Sequence, residues 1–277
     1  MLHLKKFDPS TVSDGSVIVI IGRRGTGKSV LLRSIMRAKS HIPAGIVCAG
    51  TESGNRAYGG PGGPMPSEFV YDAFNQKAVE RLIARQKKLA PKNMQGLPPP
   101  AFLILDDCMY DKKFMNTETM RFLFFNGRHF NIFFVITAQY CMDLPPFARQ
   151  NIDWFVTLRN AVRNDRKKLY EFFGGTADLS FDEFGNLLDQ ATKNHEALVI
   201  NGSGDGDQFY FYRGDFPMPK FKMGSQGFWE AAARVRARRR ETVRRHAQAV
   251  QAARAPLYDH RTAAFQRTIR IDGRHRL

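Results

Sequence analysis

Eight residues, GRRGTGKS from Gly22 to Ser29, place three glycines ahead of a lysine and a hydroxyl in the order GxxxxGK[ST]. Such a turn between a buried strand and a helix suits phosphate, because backbone N–H groups converge on the anion and the helix dipole adds positive potential. Lys28 is placed to reach the β- and γ-phosphates of a nucleoside triphosphate, and the Ser29 hydroxyl to sit on Mg²⁺. Downstream, the apolar run AFLILDD ends in two adjacent carboxylates, Asp106 and Asp107. Side by side at a strand end, one acid can hold the metal shell and the other can polarise an attacking water. A third run, IFFVITAQY, ends at Thr137 and Gln139, where an amide can sense the γ-phosphate or orient the water. Just before it stands Arg128, either a finger neutralising charge on a neighbouring subunit's nucleotide or a salt-bridging surface arginine. The pattern points to hydrolysis of a triphosphate.

The elements that must position these groups follow from hydrophobic patterning. Short, near-continuous apolar runs predict strands at Val17–Ile21, Gly45–Ala49, Phe102–Leu105, Ile132–Thr137 and Trp154–Leu158. Helical patterns fill the gaps at Lys28–Lys39, Lys77–Lys88 and Glu118–Asn126. This βαβ rhythm predicts a mostly parallel sheet flanked by helices. Two further helical patterns lie near Asp165–Phe173 and Phe181–Thr192, and Ala197–Asn201 with Gln208–Tyr212 reads as a β-hairpin around GSGDGD. A long exposed helix is expected from Phe228 to about Ala255. The Gly/Pro-rich stretch Ser53–Pro66 is expected to be mobile surface, with substrate contact the weaker alternative, and Pro91–Pro100 a stiff connector.

Charge narrows the partner. The net charge is +16 over 277 residues, and the segment from Arg234 onward, with thirteen arginines, no lysine and three acids, carries ten of those charges. A field of this sign favours a polyanion, with nucleic acid the first candidate; a basic tail kept for solubility is the plainer alternative. The three cysteines (Cys48, Cys108, Cys141) form no CxxC pair, which predicts reduced thiols and no structural zinc site. No apolar run is long enough for a membrane span and the N-terminus lacks a secretory core, so a soluble intracellular protein is expected.

In order along the chain, GRRGTGKS, LILDDC, NGRHFNIFFVITAQY and PPFARQNIDWFVTLRN resemble the FtsK–HerA superfamily of ring-forming, DNA-translocating ATPases. The resemblance is closest to the genome-packaging ATPases of nucleocytoplasmic large DNA viruses. It spans Val17 to Asn160, with thinner similarity to about Tyr212. It implies a P-loop NTPase fold of the RecA/ASCE type: an ATPase domain over residues 1–216, then an Arg-rich extension over 217–277. ATP and Mg²⁺ are the implied cofactors. Nucleotide contacts would come from Gly22, Arg23, Arg24, Gly25, Thr26, Gly27, Lys28, Ser29 and Val30, and the metal would lie on Ser29 and Asp106. Asp107 would be the catalytic base, at a position where the wider superfamily generally has glutamate; Gln139 would be the sensor and Arg128 the trans-acting finger, with Arg149 in reserve. Implied partners are double-stranded DNA, a homo-oligomeric ring of five or six subunits and a capsid or portal component. The implied locations are the host cytoplasm and the virion.

Other readings remain open at this point. A helicase-like remodelling ATPase would need further arginine motifs downstream, and a nucleotide kinase would need a basic lid, which Arg159, Arg163, Arg166, Lys167 and Lys168 superficially resemble. A degenerate P-loop domain acting as a structural DNA-binding protein is weakened by the complete set of nucleotide residues.

Overall fold

A computed structural model describes residues 4–90, 96–174, 179–204 and 208–254. Part of the expected connector, the tip of the expected hairpin and most of the Arg-rich tail beyond the long helix lie outside the described residues.

The strands are β1 (Lys5–Lys6), β2 (Val17–Ile21), β3 (Ala44–Ala49), β4 (Val70–Tyr71), β5 (Ala101–Asp106), β6 (Ile132–Ala138), β7 (Trp154–Thr157), β8 (Glu196–Asn201) and β9 (Phe209–Arg213). They form one sheet in the order β1-β9-β8-β7-β2-β6-β5-β3-β4. Pairing is parallel from β7 through β4 and again between β9 and β1, so among the described strands only β8 runs against the rest. Strand β6 lies between the strand that leads into the glycine turn and the strand that ends in the two acids. Register is tight there: Ile20 pairs with Thr137 and Leu105 with Ile136.

The central strands are apolar on both faces because both are covered. Val17, Val19, Ile21, Leu103, Leu105, Phe134 and Ile136 point into one core layer, with α3 (Gln76–Leu89) and α4 (Glu118–Asn126). Their neighbours Ile18, Ile20, Phe102, Ile104, Phe133 and Val135 point into the other, against α1 (Lys28–Ala38). Helix starts are fixed by side chains: Asn75 accepts from the Ala78 amide at 3.0 Å and Thr117 from the Met120 amide at 3.4 Å. A capping box of Ser180 and Glu183 opens α7 (Phe181–Ala191). Buried Gln86 of α3 donates to the Pro99 and Phe130 carbonyls, both at 2.9 Å, pinning the entries to β5 and β6.

Three short helices complete the compact unit: α2 (Glu52–Asn55), α5 (Pro146–Arg149) and α6 (Arg163–Leu169), the last followed by a π-turn over Tyr170–Gly174. The expected single helix near Asp165–Phe173 is thus divided. The stretch Ser53–Pro66 differs from its expectation as mobile surface. The Glu52 carboxylate accepts from the amides of Tyr58 (3.1 Å) and Gly59 (2.7 Å), and Tyr58 and Met65 are buried in the core. Residues up to Trp229 form this unit; from Glu230 the chain forms a second one, which among the described residues is helical, within α8 (Gln226–Arg254). No described helix is long and apolar enough to cross a membrane.

Candidate nucleotide site

Strand β2 delivers the glycine turn to the C-terminal end of the parallel sheet. Gly25 and Gly27 take left-handed φ values of 79° and 102°, which leave the backbone free to curl around an anion without Cβ strain. Thr26 closes the turn by donating its hydroxyl to the Arg23 carbonyl at 2.7 Å. Helix α1 starts at Lys28. The lysine ammonium folds over the turn, donating to the Gly22 carbonyl at 2.5 Å and the Arg23 carbonyl at 3.0 Å. Burial lowers its pKa below the ordinary lysine value, and the carboxylates of Asp107 and Asp106 offset part of that shift.

The acids stand at the same sheet end, on β5. Asp106 is 2% exposed, and each of its oxygens accepts a hydrogen bond. Its Oδ1 accepts from the Thr137 hydroxyl on β6 at 2.8 Å, and its Oδ2 accepts from the Tyr58 hydroxyl at 2.7 Å. The Ser29 hydroxyl lies 3.4 Å from the same Oδ2. Thr137 also accepts from the Asp107 amide at 2.9 Å, so one hydroxyl orients both acids. Asp107 adopts φ 52°, a left-handed conformation that aspartate tolerates but does not favour. The Gln139 amide donates to its Oδ1 at 3.4 Å. Gly50 at the end of β3 lies against this bend: a Cβ there would come within 2.4 Å of the Asp107 carbonyl oxygen.

Together these residues border an open cleft of about 360 Å³, with Arg24, Val30, Thr51 and Asn55 on its rim. Ser29 and Asp106 present an oxygen-only pair beside the turn, and oxygen donors fit a hard divalent cation such as Mg²⁺. Of the expected site residues, the fold brings Arg24, Gly25, Gly27, Lys28, Ser29, Val30, Asp106, Asp107 and Gln139 to one cleft. Arg23 pairs with Asp165 at 3.6 Å. Arg128 stands elsewhere. It lies before the start of β6, 52% exposed and 4.0 Å from Asp153, whose carboxylate also accepts from the Val17 amide at the start of β2. That is the opposite end of the sheet, and seven strand residues at ~3.3 Å each put it about 20 Å from its own cleft. Arg149 donates to the Leu144 carbonyl at 2.6 Å and lies over the Phe172 ring, 4.2 Å from its centroid.

Tyr58, Thr51 and Asn55 escaped the sequence reading. The only local signal for Tyr58 is an aromatic residue inside a Gly/Pro stretch; its phenol is pushed well above its ordinary pKa by burial and by Asp106. Cys48, Cys108 and Cys141 are buried free thiols, raised by burial to about 11, about 12 and about 11 respectively.

No protein-family model matches the chain. Uncharacterized protein 075L of Invertebrate iridescent virus 6 is 35% identical over 198 residues, 71% of this chain and 74% of the relative. Uncharacterized protein L437 of Acanthamoeba polyphaga mimivirus is 30% identical over 240 residues, covering 82% of this chain and 81% of its own length. Among solved structures, the genome packaging NTPase B204 of Sulfolobus turreted icosahedral virus 2, in complex with ATP-gammaS, superposes with a TM-score of 0.53 at 16% identity, over 73% of this chain and 99% of that one. At that identity the likeness is one of fold. The chain therefore belongs to one family with these proteins of large DNA viruses, and it shares its fold with a viral genome packaging NTPase.

Proposed function

We propose that the protein is an ATP-hydrolysing motor that moves double-stranded viral DNA into a preformed capsid. The observation that carries the reading is the cleft, where the lysine turn meets two acids oriented by one threonine. The backbone of residues 22–30 and the Lys28 ammonium hold the triphosphate. Ser29 and Asp106 would hold Mg²⁺, which would supply charge neutralisation at the phosphoryl oxygens. Asp107 accepts the proton of the attacking water, with Gln139 fixing its carboxylate.

Arg128 lies too far from its own cleft to act there, which supports a role on a neighbouring subunit's nucleotide in a ring of five or six copies. The +16 charge favours a partner gripped through phosphates rather than bases. Such a motor would work in the host cytoplasm and would dock on a capsid or portal component. The kinase alternative loses ground because two of its five lid candidates are already paired, Arg166 with Asp189 and Lys168 with Glu171.

ATP turnover with and without long duplex DNA tests the proposal. Several-fold stimulation by duplex, with no strand separation, is expected. Turnover driven instead by a nucleoside monophosphate would overturn it in favour of a kinase.

A further inference from the structure

The Gly/Pro-rich stretch Ser53–Pro66 lies outside the phosphate turn, yet it meets the nucleotide cleft twice. Asn55 stands on the rim beside Thr51, and the Tyr58 hydroxyl donates to Asp106 Oδ2 from the protein interior. The fold of the stretch accounts for its composition. Glu52 accepts from the Tyr58 and Gly59 amides, so the chain turns back on itself, with Arg56 at a left-handed φ of 47°. The Tyr58 carbonyl then accepts from the Met65 amide at 3.0 Å, closing a small loop. Glycine is required inside it: a Cβ at Gly63 would come within 2.3 Å of the Tyr58 carbonyl oxygen. The Pro64 carbonyl accepts from the Met223 amide at 2.8 Å, which anchors the loop to a distant part of the chain.

Tyr58 is thereby delivered to Asp106 as a second, independent donor. Thr137 on β6 holds Oδ1 at 2.8 Å and Tyr58 holds Oδ2 at 2.7 Å. The terminal torsion of an aspartate is broad, and a single donor would let the carboxylate turn about the oxygen it holds. The second donor removes that freedom. It acts on the oxygen that lies 3.4 Å from the Ser29 hydroxyl, where Ser29 and Asp106 would share a divalent cation. Packing alone does not require the phenol. A phenylalanine fills nearly the same space, and burying a hydroxyl with a carboxylate carries a desolvation cost.

We propose that Tyr58 is a positioning residue for the metal: it holds the Asp106 carboxylate in the orientation that presents Oδ2 to a cation shared with Ser29. The Gly/Pro stretch is then the frame that carries this phenol. The inference rests on the ATP and Mg²⁺ reading above and goes beyond it by assigning a residue outside the nucleotide motifs.

The test measures, by calorimetry on the full chain, affinity for a non-hydrolysable ATP analogue in saturating Mn²⁺ and in EDTA. The ratio of the two is the gain that the metal confers. Circular dichroism establishes that each protein is folded at the assay temperature. Tyr58→Phe is expected to lower the gain about tenfold, the lower end of the effect of hydrogen-bond partners behind a metal ligand, with the affinity in EDTA unchanged. Glu52→Ala keeps the phenol but frees the turn that carries it. It is expected to lower the gain by a smaller factor, and it decides the matter should Tyr58→Phe not fold. An unchanged gain overturns the proposal. So does an equal fall with and without metal, which would mark Tyr58 as a support of the whole cleft. If the wild type binds the analogue with no gain from Mn²⁺, the metal reading fails and the positioning role with it; if it binds no analogue at all, the ATP reading itself fails.

Discussion

Tyr58→Phe removes one oxygen atom from the interior and leaves the aromatic ring in place. The lost group is the hydroxyl that donates to Asp106 Oδ2 at 2.7 Å, between two residues that are 1% and 2% exposed. A buried hydrogen bond to a charged acceptor contributes about 1.5–3 kcal/mol. Asp106 keeps Thr137 on its other oxygen, and Ser29 at 3.4 Å is too long to compensate in full. Taking about 2 kcal/mol and about 3 °C per kcal/mol for a unit of this size, the thermal midpoint should fall by about 6 °C. Thr137→Val should cost more, because it strips both Asp106 Oδ1 and the Asp107 amide of their partner. Thermal melts followed by far-UV circular dichroism measure both. A Tyr58→Phe midpoint within about 1 °C of wild type would show that the bond contributes nothing, and that the Gly/Pro stretch is not tied to the acid through it.

Lys28→Ala should abolish binding of both ATP and tripolyphosphate, measured by calorimetry, because the ammonium over the turn is removed. In the wild type, ATP affinity should decline with rising pH below the ordinary lysine range, since Lys28 must be protonated to bind and burial lowers its pKa. Arg128→Ala should leave ATP binding intact and remove hydrolysis, and mixing it with Lys28→Ala subunits should restore turnover; normal hydrolysis by Arg128→Ala alone would refute the finger. Asp14→Ala should cost about 3 kcal/mol in urea unfolding, because it takes the carboxylate from the buried Lys39 ammonium. Burial alone would raise the Asp14 pKa, but hydrogen bonds from Lys39 and His41 outweigh it and hold the carboxyl below its usual value. Its stabilisation is therefore complete above that usual value and is lost as pH falls through the lower folded one, an acid limb that Asp14→Asn should lack.

The strand, turn and helix from Val17 to Ala38 were legible because every signal there is local: an apolar run, glycines, then amphipathic spacing. So were the acids on β5 and the polar end of β6, each announced by an apolar strand stopping at polar residues. The link between them was not, since Thr137 reaches Asp106 only because β6 inserts between β2 and β5, and sequence spacing does not encode strand order. Tyr58 was hidden for a related reason: its partner lies 48 residues downstream, and a Gly/Pro stretch has no periodicity to mark a buried position. Strands β1 and β4, two residues each, are too short to show alternation. At Asn194 and His195 the backbone turns left-handed without the glycine that would have flagged it.

Those two short strands are also the borders of the sheet. A border strand with a long run of open amides invites another chain to add on, whereas a border of two residues provides almost no template. Lys5 and Lys6 further place two exposed side chains at one border. The nine described strands therefore end where they end, and in the proposed ring copies would meet through side-chain surfaces rather than by continuing one sheet from subunit to subunit. Contacts of that kind can loosen and re-form without unzipping a ladder of backbone hydrogen bonds, which a motor of the proposed kind would require.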